Sequence, residues 1–130
     1  MVEFNFAGLP AGADDRYFFA GNRQRLGQLG TRLNLNDARE ISLADEWLGI
    51  DVGLSFNRPT HLWTYPIETV SQSEGGFELV HQEVCVQPHW LVQGDAEGKW
   101  NVVMRLTMDT SAAEQRQAES TRAATVAIRR

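Results

Sequence analysis

Hydrophobic and polar residues alternate with a period of two over much of the chain. The alternation is clearest over residues 50–56, 63–67 and 100–108. A period of two places every second side chain on the same face, as in a half-buried β-strand. Pro66 lacks the N–H that a sheet ladder needs, so its strand should lie at an edge or a bulge. The pattern predicts antiparallel β-structure.

Shorter candidate strands precede this region, separated by turn signals such as LPAGADD, AGN and NLND. They lie at residues 2–6, 17–19, 26–35 and 39–43. Many short strands with turns at frequent intervals are typical of a β-sandwich or a barrel. We therefore predict one all-β domain over residues 1–110.

The last twenty residues, 111–130, have a different composition. Ser111 and Glu114 have the spacing of a helix capping box, and SAAEQRQAESTRAA is rich in Ala, Gln, Glu and Arg. Its apolar stripe is poor, so a short helix and a disordered polar tail are both open. The basic end, residues 128–130, is too short to indicate a targeting or binding patch.

Composition narrows the functional classes. The chain has 130 residues, enough for one domain with its own core, and a net charge of -5. Its bases are scattered, so we expect no nucleic-acid partner. It lacks a leader pattern or a long apolar run, so we expect no membrane insertion. Cys85 is the only cysteine, which excludes an internal disulfide and favours a reducing, cytoplasmic location.

A polar cluster, ETVSQSEGGFE, occupies residues 68–78. Glu68, Gln72, Glu74 and Glu78 could provide paired carboxylates for acid–base chemistry or hydrogen bonds to a ligand. The same residues also fit a hairpin connection at residues 71–76, in which the glycines adopt positive φ and the polar side chains form hydrogen bonds with the backbone of the turn. The periodicity favours the hairpin, and a ligand groove beside it stays open.

The strand predicted at residues 77–90 carries a second set of polar side chains. His81, Glu83, Cys85, Gln87 and His89 are evenly spaced and share one face if no bulge intervenes. This set could ligate a metal or provide a His/Glu acid–base pair. It also fits the solvated face of an ordinary strand, and no paired Cys or His motif supports a metal, so we predict none.

Aromatic residues are the third candidate feature. Indole and phenol rings stack on the C–H faces of sugars, and neighbouring carboxylates and amides bind sugar hydroxyls. Trp63 and Tyr65 should be buried because most aromatics at strand spacing are core residues. Trp90, which follows Pro88 near the end of its strand, is the better candidate for an exposed ring.

Three quoted segments resemble a known family. WTYPIETVSQSEGGFELVHQEVCVQPHW is similar to a motif in the C-terminal β-sandwich of family 57 glycoside hydrolases, which include 4-α-glucanotransferases and α-amylases. VEFNFAGLPAGADDRYF and DEWLGIDVGL resemble other strands of that domain. The similarity covers residues 2–90, and more weakly extends to residue 108.

The resemblance implies an antiparallel sandwich of the galactose-mutarotase-like supersandwich or jelly-roll type, beside a catalytic (β/α) barrel. The family's nucleophile and general acid lie on that barrel, to which nothing in this chain corresponds. The chain resembles about the latter half of the family's C-terminal domain. We therefore assign no catalytic residue and no cofactor.

The expected function is a non-catalytic accessory module that binds α-1,4-glucan or supports a catalytic partner. The candidate sugar contacts are Glu68, Gln72, Glu74, Glu78, His81 and Trp90. A structural module that forms a homodimer without sugar affinity is the first alternative. A small sugar mutarotase or epimerase is the second, and it requires His and Glu side chains that meet in one cleft.

Overall fold

The computed structural model describes residues 1–128, which form seven β-strands followed by one α-helix. The strands are β1 (Phe4–Ala7), β2 (Arg16–Ala20), β3 (Gln24–Gln28), β4 (Leu33–Asp45), β5 (Ile50–Ser73), β6 (Gly76–His89) and β7 (Met104–Asp109), and the helix is α1 (Ser111–Ile128). Residues 111–128 are therefore helical rather than disordered. Of the predicted basic end, residues 129 and 130 lie outside the described residues.

All seven strands are antiparallel members of one open sheet. The order across the sheet is β1-β6-β5-β4-β2-β3, and β7 also pairs with β5. The predicted antiparallel β class is confirmed. A second sheet, which a sandwich requires, is not among the strands of residues 1–128.

Strand β5 organises the sheet because it is 24 residues long and pairs with three other strands. Residues 51–56 of β5 pair with β7, and residues 61–73 pair with β6. Strands β7 and β6 therefore pair with successive segments of β5. The strands predicted at residues 50–56 and 63–67 are thus parts of one strand. Pairing with β4 ends at Thr64, so Pro66 lies where that edge of β5 becomes free, as predicted.

One side of the sheet carries the hydrophobic core. Along β5 the even-numbered residues Leu54, Phe56 and Leu62 are buried, together with Val84 and Val86 of β6. We call this the core side and the opposite one the outer side. Odd-numbered β5 residues from 51 to 67 lie on the outer side, because successive side chains of a strand alternate.

Helix α1 packs against the turn between β4 and β5. The guanidinium of Arg116 donates to the backbone oxygens of Trp47 and Glu46, at 2.7 and 2.6 Å. Gly49 permits the close approach, since a Cβ there would lie 2.6 Å from the Ala113 nitrogen. The helix is capped before the predicted box, because the Asp109 carboxylate accepts from the Ser111 N–H at 2.9 Å. Hydrogen bonds from the Ser111 side chain and from its backbone N–H lower the pKa of Asp109.

The far ends of β5 and β6 form a hairpin that extends beyond their neighbours. Pairing continues from Glu68 and His81 to Ser73 and Gly76, while β4 reaches only Thr64 and β1 pairs with β6 at residues 83–86. We call residues 68–81 the arm. Its two-residue turn confirms the hairpin predicted for ETVSQSEGGFE.

Candidate functional site

Trp63 lies on the outer side of the sheet and is held across three strands. Its indole Nε1 donates to the Asn34 side-chain oxygen on β4 at 3.2 Å. On the other flank, its ring centroid lies 4.2 Å from that of His89 on β6. The side chain nevertheless stays 42% exposed. The indole is therefore fixed in orientation and open to solvent.

The next rung along the same face repeats this arrangement. The His61 ring stacks on His89 with centroids 5.6 Å apart, and its Nδ1 lies 3.0 Å from the Asn36 side-chain oxygen. Side chains two residues apart on one face of a strand are separated by roughly 7 Å. Trp63 and His61 thus form adjacent steps of one surface. We call the set Asn34, Asn36, His61, Trp63 and His89 the aromatic platform.

Polar side chains continue the surface toward β1. Gln87 is directly opposite Trp63 in the ladder, and Cys85 is opposite Tyr65 and Asn5. On β1, the Asn5 amide donates to the Glu3 carboxylate at 2.8 Å. Gln87 is only 8% exposed and Cys85 is fully buried, so the accessible groups at this rim are the Asn5 amide and the Glu3 carboxylate, which are suited to bind hydroxyls.

Tyr65 and Cys85 form a less accessible pair beside the platform. A hydrogen bond with the Cys85 thiol, together with burial, raises the Tyr65 pKa to about 12. Burial is also the main reason why the Cys85 pKa is raised. Both groups are therefore neutral near pH 7. They are suited to shape the surface rather than to act as nucleophile or base.

Four of the sequence-predicted site residues lie together on the arm, and all four are exposed. Glu68 and Gln72 project on the core side with Phe77, while Glu78 projects on the outer side and Glu74 lies in the turn. The arm has no second layer of protein over either face in residues 1–128. The four side chains are accessible to a partner, but they form no closed pocket with one another.

His81 lies on the opposite face from the one predicted. The register between β5 and β6 shifts after Ile67, where Gln82 is the extra residue, so Glu83 remains on the outer side and His81 turns to the core side. There its Nε2 lies 2.7 Å from the Leu9 carbonyl oxygen. The prediction of one continuous polar face from His81 to His89 is therefore wrong, and His81 and Glu83 do not meet in one cleft.

The two tryptophans exchange their expected environments. Trp90 packs edge-on against Phe56, with centroids 6.3 Å apart, and its Nε1 donates to the Thr60 hydroxyl at 2.9 Å. It is partly buried against the core, whereas Trp63 is on the exposed platform. The predicted order of exposure is thus wrong. Alternation would have identified Trp63, because Leu62 and Thr64 on either side of it are the core residues.

Sequence reasoning also missed a cleft beside helix α1. It has a volume of about 460 Å³ and is lined by Arg23, Asp51, Asp109 and Arg116. Trp47, 70% exposed, lies in the adjoining hollow with Arg116. The charged groups largely bond each other or the backbone, as Arg23 does with Asp51 at 3.0 Å. The cleft is best explained as part of the interface where helix α1 packs against the sheet.

Neither a metal-binding cluster nor a membrane-spanning helix is present among residues 1–128. No group of three or more His, Cys, Asp or Glu side chains is arranged to hold a metal ion in this part of the chain. Helix α1 is not apolar enough to cross a bilayer, and no other described segment forms a helix that could.

Comparison with known proteins yields one match. The family model described as alpha-amylase/4-alpha-glucanotransferase, C-terminal, matches residues 1–104. No curated protein and no solved structure matches the chain. The matched range includes β1 to β6, the arm and the aromatic platform, and ends at the first residue of β7. The chain therefore belongs to the alpha-amylase/4-alpha-glucanotransferase C-terminal family.

Proposed function

We propose that this domain is a non-catalytic accessory module that binds α-1,4-glucan on its aromatic platform. The observation that carries the proposal is the Trp63 indole, which is held by Asn34 and His89 and yet stays 42% exposed. A ring fixed before binding loses little side-chain entropy when a sugar stacks on it. The proposal refines the site predicted from sequence, which centred on the arm and Trp90.

The chemistry of the platform suits a glucan chain. A pyranose presents an apolar C–H face, which stacks on indole, and a polar edge, which needs donors and acceptors. Asn34 and Asn36 lie on the β4 side of Trp63 and are exposed, whereas Gln87 on its β6 side is only 8% exposed. One sugar ring could stack on Trp63 and the next could contact His61. Strands of a sheet place such groups more rigidly than loops do.

Titration calorimetry with maltoheptaose tests this proposal. The wild-type chain should release heat at millimolar sugar, and Trp63→Ala should reduce the affinity at least about tenfold, as expected for loss of about 1.4 kcal/mol of stacking. Trp47→Ala is the matched control, because Trp47 is an exposed tryptophan away from the platform. Equal loss in both variants, or no heat in the wild type, would contradict the platform assignment.

Glu74→Gln separates the platform from the sites predicted on the arm. Glu74 lies in the exposed turn of the arm, away from Trp63. If the platform is the sugar site, Glu74→Gln keeps the wild-type affinity. If Glu74→Gln abolishes binding while Trp63→Ala does not, the arm is the sugar site, as first predicted.

A structural role without sugar affinity is the second candidate, and the exposed apolar arm favours it. Phe77 is 76% exposed and Leu79 is 70% exposed, which is unusual for neighbouring large side chains of one hairpin. Absence of maltoheptaose binding together with self-association would support this role over the first.

We also propose that the sheet is one layer of a galactose-mutarotase-like sandwich. The core side of β7 supports this idea, since Leu106 and Met108 are exposed there beside the buried Leu54. A second layer would cover these two side chains. If residues 1–128 alone leave them uncovered, Met108→Ser should change the free energy of unfolding by less than about 0.5 kcal/mol in urea titrations. A loss above about 1.5 kcal/mol would mean that the chain covers Met108 itself.

A further inference from the structure

We propose that the arm docks onto a second copy of this chain, on a surface where arginines cover aromatic rings. We call that surface the arginine patch; it consists of Arg23 and Arg25 with Phe19 and Tyr17 beneath them. The proposal is independent of sugar binding, because neither surface includes the aromatic platform.

The arm has three properties of a docking element. Val70, Phe77 and Leu79 project together on its core side and are largely exposed. Both its outer edges lack a neighbouring strand in residues 1–128, so backbone N–H and C=O groups are available for pairing. Its two-residue turn and continuous ladder make it a rigid projection rather than a loose loop.

The charge of the arm argues against two arms packing on each other. Glu68, Glu74 and Glu78 belong to the arm, and residues 59–98 contain no lysine or arginine. Two such arms face to face would bring like charges together in a poorly solvated contact, which is unfavourable. An apolar surface bordered by cations fits the arm better.

The arginine patch provides that complement at the other end of the sheet. Residues 16–39 contain five arginines and one acid, Asp37. The Arg23 guanidinium lies 4.4 Å from the Phe19 ring centroid, and that of Arg25 lies 4.1 Å from the Tyr17 centroid. Arg23 is 55% exposed although it forms an ion pair with Asp51 at 3.0 Å. Arg25, whose guanidinium donates to the Asp14 carbonyl oxygen, is therefore the cation that the arm carboxylates would meet. A guanidinium stacked on a ring offers a flat, partly apolar surface and N–H donors at its rim, which suits Phe77 and the arm carboxylates.

The arm cannot reach the patch of its own chain. Strands β5, β4 and β2 separate β6 from β3 in the sheet, which corresponds to roughly 19 Å across four strand spacings. A rigid hairpin that leaves the sheet along β5 does not bend back over that distance. The contact is therefore intermolecular. Two copies related by a two-fold axis can each place an arm on the other's patch, which closes the assembly as a dimer.

Sedimentation equilibrium on the full chain tests the proposal. The wild-type chain should be dimeric at about 0.05 M NaCl and shift toward monomer at about 0.5 M NaCl, because salt screens the contact. Phe77→Ser removes the central apolar side chain of the arm and should weaken the dimer at least about tenfold. Leu91→Ser, which alters a side chain that is 95% exposed outside both surfaces, should leave the dimer unchanged.

A charge exchange distinguishes this interface from any other. Glu68 lies on the same core side of the arm as Phe77. Arg25→Glu alone and Glu68→Arg alone should each favour monomer, and the two together should restore the dimer because the opposite charges are again paired. Circular dichroism of each variant verifies folding before sedimentation. A monomeric wild type at low salt, or a dimer that Phe77→Ser and Arg25→Glu leave intact, would overturn the proposal.

Discussion

The β5–β6 hairpin contains two regions with similar alternation and opposite environments. In its base, Leu62, Val84 and Val86 are buried, whereas in the arm Val70, Phe77 and Leu79 are exposed. Both regions are regular antiparallel ladders. The difference comes from what covers them: β1, β4 and the core flank the base, and no strand of residues 1–128 flanks the arm. An apolar face in a strand therefore indicates that something packs on it, without indicating that the same chain does.

The largest effect expected from this comparison is on global stability. Leu62→Ala removes a fully buried side chain and should cost about 2–5 kcal/mol in the free energy of unfolding. Leu79→Ala removes an exposed side chain of the same type and should cost less than about 0.5 kcal/mol. Urea unfolding of dilute protein at high salt measures both. A loss above about 1.5 kcal/mol for Leu79→Ala would show that the chain itself covers the arm.

A smaller effect separates the two tryptophans. Trp90→Phe removes the donor to Thr60 and part of the contact with Phe56, and should cost about 1–3 kcal/mol. Trp63→Phe on the platform should cost less than about 1 kcal/mol, since that ring is partly exposed. Thermal and urea unfolding of the two variants give the comparison. Equal costs would mean that Trp63 is a core residue, as the sequence first indicated.

The base of the hairpin should also raise the pH at which the Tyr65 phenol ionises. The Tyr65 pKa of about 12 means that the fold favours the neutral phenol. An unfolded tyrosine ionises near pH 10, so the stabilisation is complete below about pH 10 and is lost as pH rises toward 12. Ultraviolet titration compared with Tyr65→Phe should show one phenol that ionises late. A Tyr65 that titrates near pH 10 would contradict the contact with Cys85.

The smallest effect lies at the tip of the arm. Gly76 has φ of 120°, a conformation that side-chain-bearing residues rarely adopt. Gly76→Ala should destabilise the turn by about 1 kcal/mol. No strand of residues 1–128 flanks the arm, so we expect it to open before the core. The loss should then appear as faster amide hydrogen exchange in residues 68–81 and not as a lower global unfolding midpoint. A lowered midpoint would mean that the arm and the core unfold as one unit.

Much of the fold could be predicted from the sequence. Alternation located most of the strands, Pro66 indicated a free edge, and ETVSQSEGGFE was identified as a hairpin. The strand predicted at residues 26–35 is divided between β3 and β4, residues 39–43 belong to β4, and residues 100–103 precede β7. These features are local, since they depend on side-chain period, proline chemistry and turn residues. The family resemblance is confirmed by the match over residues 1–104.

The parts that failed depend on contacts between distant residues. The extra residue at Gln82 places His81 on the opposite face of the strand. Such a one-residue shift cannot be recognised from the alternation of hydrophobic and polar residues. Trp63 was expected in the core because most aromatic residues at strand spacing are buried, whereas its exposure follows from Leu62 and Thr64, which face the core. Trp90 acquired a partner, Thr60, thirty residues away. The roles of Glu68, Gln72, Glu74 and Glu78 in sugar binding stay predictions.

The most direct measurement of the central claim is a nitrogen–proton NMR titration with maltoheptaose that follows the four indole N–H signals. Single Trp→Phe variants assign the signals of Trp47, Trp63, Trp90 and Trp100. A glucan bound on the platform should shift the Trp63 signal progressively and leave the signal of Trp47 unchanged. Shifts confined to Trp47, or an unchanged Trp63 signal at saturating sugar, would contradict the assignment of the aromatic platform as the glucan-binding surface.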